Sequence, residues 1–147
     1  MTMNLQKDLR EFVELLNALE VHFLIVGAFA VAHHGYVRYT ADLDVFVEKS
    51  TENAEKIVRA IREFGFGGVG VTPEDFTHKD QIVQLGVAPN RIDILTTLTG
   101  VSFDEAWSSR ELGNIGGLTV PVISQALLKQ NKLATGRPKD LADLEYL

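Results

Sequence analysis

Cysteine is absent from the 147 residues, which excludes disulfide frameworks, thiolate zinc sites and a cysteine nucleophile. Long apolar runs are also missing. The longest, Phe23 to Ala32, falls well short of the roughly 20 residues that cross a bilayer. The opening segment MTMNLQKDLREF lacks the charged-then-apolar layout of a secretory signal, so no membrane association is expected and the expected location is cytoplasmic. Positive charge is in short supply, with 14 Lys and Arg against 20 Asp and Glu and a formal net charge of -6. That balance argues against a broad nucleic-acid-binding face, while leaving room for a local basic patch near the C-terminus that holds a phosphate-bearing ligand. With 46% hydrophobic and 23% charged residues, the chain has the balance of a folded globular protein. Its length suits a single domain over residues 1–147.

Leu5, Leu9, Phe12, Val13, Leu16 and Leu19 recur at helical spacing and predict an amphipathic helix ending near Glu20. A short apolar strand, VHFLIVG, closes at Gly27, and AFAVAHHG reads as a helix stopped by Gly35. Asp42 to Glu48 alternate, with Leu43, Val45 and Val47 on one face and Asp42, Asp44, Phe46 and Glu48 on the other. Ser50 or Thr51 caps a helix that carries Ala54, Ile57, Val58, Ile61 and Phe64 and stops at Gly65. GFGGVGVTPED reads as a loop, and DQIVQLGV and NRIDILT as two antiparallel strands joined by a short connection. A capping box, Ser102 with Glu105, opens a further helix. A hairpin is expected around Gly116 and Gly117, then two helices broken at TGRP.

The chemistry starts from Asp42 and Asp44. Residues two apart on a strand point the same way, roughly 6 to 7 Å apart at the backbone. Asp93, within RIDIL, sits on a strand with the same division into an apolar and an acid-bearing face. If the two strands are neighbours, three carboxylates meet. They would repel, and their pKa values would rise, unless something cationic sat between them. Magnesium suits the position, since it prefers oxygen ligands and binds through one or two carboxylates together with nucleotide phosphates. A D-x-D on an alternating strand otherwise means only that one face is wet. Here Phe46 and Leu95 share the faces of the aspartates, which points to partial cover. Gly27, between strand and helix, lets backbone N–H groups approach a triphosphate, or it simply serves a tight turn. Arg38 and Thr40 lie in the following loop, where they contact phosphate or pair with neighbouring acids. His33 and His34 are adjacent and point apart on a helix, unlike the i, i+4 pairs that share a metal.

The order LIVGAFAVAHHGYVRYTADLDVFV followed by RIDIL resembles the polymerase-beta-type nucleotidyltransferase superfamily. Its small bacterial members, the minimal nucleotidyltransferase and AbiEii-like group, are the most similar. The resemblance extends to the tail VISQALLKQNKLATGRPKDLADLEYL and so covers nearly the whole chain. It implies an α+β nucleotidyltransferase fold, a mixed sheet flanked by helices with a C-terminal helical pair. Asp42, Asp44 and Asp93 become metal ligands and catalytic carboxylates, Asp93 assisting deprotonation of an acceptor hydroxyl. Gly27 holds the β and γ phosphates together with the backbone at Ala28, and Lys129 reaches the triphosphate. Asp140 and Asp143 match the tail pattern, although acids in the first turns of a helix also favour its dipole. Arg137 and Lys139 divide between phosphate contact and solvated surface. One departure stands out: Ala28 occupies a position where the superfamily usually has glycine or serine.

Two functions follow. One is a magnesium-dependent enzyme that moves a nucleoside monophosphate from an NTP, expected to be ATP, to a hydroxyl of an RNA, a protein or a small molecule, with a toxin–antitoxin system as one setting. The other is a noncatalytic NTP-binding or antitoxin-like protein that acts through a protein partner and uses the same pocket only to bind; Ala28 and the short chain favour it.

Overall fold

A computed structural model describes residues 7–36, 42–65, 70–77, 80–86 and 91–147. The stripe read from the N-terminal sequence forms α1 (Lys7–Ala18), which buries Leu9, Phe12, Val13 and Leu16. The helix ends two residues before Glu20, whose φ of 56° has already left helical space. Then β1 (Phe23–Val26), α2 (Gly27–His33) and β2 (Leu43–Val47) follow. In α3 (Thr51–Phe64) the Ser50 hydroxyl accepts from the Asn53 amide, and Gly65 closes the helix at φ 109°, a backbone state that favours glycine. Phe64, at its end, meets Phe12 edge-on with centroids 5.4 Å apart, joining α3 to α1.

Part of the segment expected as loop is ordered differently: Pro73–Phe76 form a 3₁₀ turn capped by Thr72. Burial of Phe76 supplies a tertiary anchor that local composition does not register. Beyond it lie β3 (Ile82–Leu85), β4 (Ile92–Leu95), α4 (Phe103–Ser108), β5 (Glu111–Ile115) and β6 (Leu118–Val122). The chain closes with α5 (Gln125–Thr135), α6 (Pro138–Asp143) and a short 3₁₀ turn, Leu144–Tyr146. The expected capping box is present at α4, with Ser102 and Glu105 bonding reciprocally.

Six strands form one mixed sheet in the order β3-β4-β2-β1-β6-β5. Two hairpins, β3-β4 and β5-β6, flank an inner group in which β1 is antiparallel to β2 and parallel to β6, while β2 is parallel to β4. β1 and β2 carry near-continuous apolar runs because both faces are covered; within them only Asp44 is less than fully buried. Asn53 ties the end of the sheet away from Gly27 to α3: its amide donates to the carbonyls of His22 and Glu48, and its oxygen accepts from the His22 amide at 2.7 Å.

Alternation along β2 sends Asp44 and Phe46 to the same face. Phe46 is covered by Phe103 of α4 at 5.3 Å and is 2% exposed, so the apolar cover stops one step short of Asp44. Phe46→Ala, by opening a cavity between β2 and α4, is expected to lower unfolding free energy by roughly 3–5 kcal/mol in urea denaturation.

Candidate active site

Parallel pairing of β2 with β4 sets Asp44 directly beside Asp93, and antiparallel pairing of β1 with β2 sets Val26, the residue before Gly27, beside Asp44. The turn and the acids are therefore brought together by sheet register alone. Gly27 takes φ +68°, and a Cβ there would lie 2.1 Å from Asp44 Oδ2. Glycine is required twice over, for its backbone state and for the space that the carboxylate occupies. These residues line a cleft of about 680 Å³ that also takes in Asp42, Arg91, Asp93 and the tail residues Asn131 to Asp140 in part.

The three carboxylates are not left to repel. Arg91 Nε donates to Asp93 Oδ1 at 3.0 Å, and Arg91 Nη2 donates to Asp93 Oδ2 at 3.3 Å and to Asp42 Oδ2 at 3.2 Å. A planar guanidinium spans two acids in this way because its donors form a rigid fork. Asp93 is 8% exposed, so its charge has little water to rely on. Asp44 has the least help. Burial, then the charge and hydrogen bond of Asp93 and the charge of Asp42, push its carboxyl up to about 7 against the partial opposition of Arg91.

The donor set fits a hard cation such as magnesium: carboxylate oxygens on adjacent strands, a carboxyl that gains from a nearby positive charge, and a bare Gly27 that leaves Asp44 room. Asp42 and Asp44 would hold the ion, with Asp93 beside them.

Of the other expected residues, Ala28 lies half-buried in the first turn of α2 and does not line the cleft, whereas Gly27 does. Arg38 and Thr40 lie outside the described residues. Lys129 is also away from the cleft lining; the α5 lysine that reaches it is Lys132, about one turn further along. Lys132 is 5% exposed, and its Nζ meets Asp140 Oδ1 at 3.2 Å and Asp143 Oδ2 at 2.9 Å. Asp140 stands in the first turn of α6, as the helix-dipole reading has it, and Asp143 ends that helix. Both are buried, where a carboxylate needs a partner as well as a favourable field. Asp140 also accepts from Thr135 Oγ1 at 2.6 Å and Arg137 Nε at 2.7 Å. Burial alone would raise its pKa, but the hydrogen bonds from Thr135, Arg137 and Lys132 outweigh it and hold the carboxyl below its ordinary value. Arg137 and Lys139 both line the cleft. Arg91 is two residues before Asp93 on an alternating strand and so shares its face; its place between the acids comes from the structure.

The family model for aminoglycoside-2''-adenylyltransferase matches residues 8–147, and the chain belongs to that family and to the nucleotidyltransferase superfamily. Among solved structures, it is similar to a proposed nucleotidyltransferase from Thermotoga maritima, with a TM-score of 0.63 and 18% identity over 93% of this chain and 88% of that one. That likeness shows the fold, the α+β nucleotidyltransferase arrangement anticipated from sequence. Among curated proteins none matches.

Two outcomes are expected. Because the folded pKa of Asp44 stands at about 7, above the ordinary 3.8, its contribution to stability is full below the unfolded value and is lost as pH rises through the folded one. Asp44→Asn should therefore raise the Tm of metal-free protein by several degrees at pH 8, and the gain should shrink as pH falls toward about 4; differential scanning calorimetry checks both. Lys132→Met strands two buried carboxylates and should cost about 3–5 kcal/mol at pH 7 by chemical denaturation, with a smaller loss in acid.

Proposed function

We propose that this protein transfers an adenylyl group from magnesium-bound ATP to a hydroxyl, within a single nucleotidyltransferase-like domain. The observation that carries the reading is the register that sets Asp44 beside both Asp93 and the Gly27 turn. Asp42 and Asp44 hold the ion, which when bound neutralises charge on the phosphates and the leaving group. Backbone amides after Gly27 receive the β and γ phosphates; amides suffice for this, so Ala28 is compatible with turnover. Arg38 and Thr40, outside the described residues, are proposed to contact phosphate. On the opposite wall Lys132, Arg137 and Lys139 offer positive charge, with Lys132 in the role first expected of Lys129.

Asp93 accepts the proton of the attacking hydroxyl. To do so it has to part from Arg91, whose guanidinium bridges it to Asp42. The released guanidinium stays close enough to join the cationic wall. For the acceptor, the family description points to an aminoglycoside, a polycationic aminosugar suited to a chain of net charge -6.

A second reading is supported by Ala28 itself: an antitoxin-like protein that binds the NTP without turnover and acts through a partner. Labelled ATP, magnesium and, in separate reactions, an aminoglycoside, RNA and cell protein distinguish the two. The transferase reading predicts labelled acceptor with pyrophosphate release, and a loss of roughly 10²–10⁴ in kcat on Asp93→Asn. Tight magnesium-dependent ATP binding with no labelled acceptor favours the second reading. Absence of ATP binding contradicts both.

A further inference from the structure

Adjacent residues of a regular helix diverge by about 100°, which is why His33 and His34 read as a poor metal pair. The structure departs from that geometry. His33 is the last residue of α2, and His34 is already its C-cap, at φ -84° and ψ 10°. Their rings lie 4.8 Å apart, nearly perpendicular. A third group comes from β5: Glu111 Oε1 is 3.8 Å from His33 Nε2. One ring nitrogen from each histidine and one Glu111 carboxylate oxygen all lie within 4.8 Å of one another.

We propose that His33, His34 and Glu111 form a binding site for a divalent transition-metal ion of the zinc type, distinct in its residues and its chemistry from the carboxylate cluster at Asp42, Asp44 and Asp93.

Two features of the surroundings support a built site rather than a chance meeting of polar groups. First, His34 Nε2 lies 2.8 Å from the Ile123 carbonyl. A carbonyl only accepts, so that nitrogen carries the proton and Nδ1 keeps the lone pair. A backbone carbonyl on the second ring nitrogen is the usual orienting contact of a ligating histidine. Second, β5 leaves out a side chain where the His33 ring packs. A Cβ at Gly113 would lie 2.9 Å from His33 Nδ1 and 2.8 Å from Val122 Cγ2, and glycine within a strand marks such close approach. With Nδ1 against the strand, Nε2 is the atom presented to Glu111.

Ligand atoms of a tetrahedral zinc ion stand roughly 3.3 Å apart, given bonds of about 2.0–2.1 Å. Closing a set that spans 4.8 Å asks for a rearrangement on the order of 1.5 Å. Glu111 can supply part of it, since about half of its side chain is exposed. Two nitrogens and one oxygen select zinc, cobalt or nickel over magnesium, so the two sites need not compete for one ion. A tetrahedral ion held by these three residues would have one position left for water or a further ligand. Mechanically, the ion would pin the C-terminal end of α2 to the outer strand β5, while the N-terminal end of the same helix carries Gly27.

The test is calorimetric titration of tag-free full-length protein with zinc chloride in excess magnesium, and with cobalt(II) for its visible absorption. Wild type is expected to bind one equivalent, with a cobalt spectrum of a low-coordinate, nitrogen-bearing site. His33→Gln and Glu111→Gln should each weaken zinc by on the order of 10- to 100-fold or more, whereas Asp44→Asn should bind as wild type does. Glu111 is solvent-exposed, so its variant keeps the fold even if the histidine variant does not. No zinc uptake by wild type overturns the proposal. So does uptake that Glu111→Gln leaves unchanged, or uptake that Asp44→Asn alone abolishes.

Discussion

The constraint on which the rest of this structure depends is repulsion between carboxylates that neighbouring strands force together. Register leaves no choice about it: β2 lies between β1 and β4, and one step of pairing puts Asp44 next to Asp93 on one side and next to Val26 on the other. Buried negative charges tolerate such closeness only with a cation or a proton between them. The fold uses both. Arg91 bridges Asp93 and Asp42, and Asp44 is driven toward protonation near neutral pH. Under the proposed function, each fills a place that a divalent cation would take.

The opposite wall obeys a matching rule with the signs exchanged. Lys132 is a buried cation, held by Asp140 and Asp143, and Asp140 in turn is held by Thr135 and Arg137. A buried network of this kind contributes little net stability compared with apolar packing, but losing one member is costly. Its value is positional: it sets the junction of α5 and α6 against the mouth of the sheet. Arg137 and Lys139 then present positive charge to the cleft in a chain that is acidic as a whole.

Much of this was legible in the sequence where a short-period signal carried it. The alternation at Asp42–Glu48 and at Arg91–Leu95, and the glycine at the end of β1, were enough to anticipate the meeting of Asp42, Asp44 and Asp93. Capping at Ser50 and Ser102 and the stop at Gly65 read correctly because they are local. What escaped was set by contacts remote in sequence. Nothing in the helical pattern of α5 distinguishes Lys129 from Lys132, and only the docking of α6 decides which reaches the cleft. Asp140 read as a first-turn acid and is one, but its burial with Asp143 against Lys132 leaves no apolar stripe to read. The spacing of the histidine pair carries no sign of the strand that brings Glu111 and Gly113 to it. Pro73–Phe76 folded against expectation for a similar reason, since burial of Phe76 outweighs a loop-like composition.

The most direct test of the central claim is a crystal structure with manganese(II) and a nonhydrolysable ATP analogue, read by anomalous scattering. The account predicts a manganese peak between Asp42 and Asp44, the analogue's phosphates at the Gly27 turn, and the Arg91 guanidinium withdrawn from Asp42. Arg91 still spanning Asp42 and Asp93, with the metal absent from the cluster while nucleotide is bound elsewhere, would contradict it.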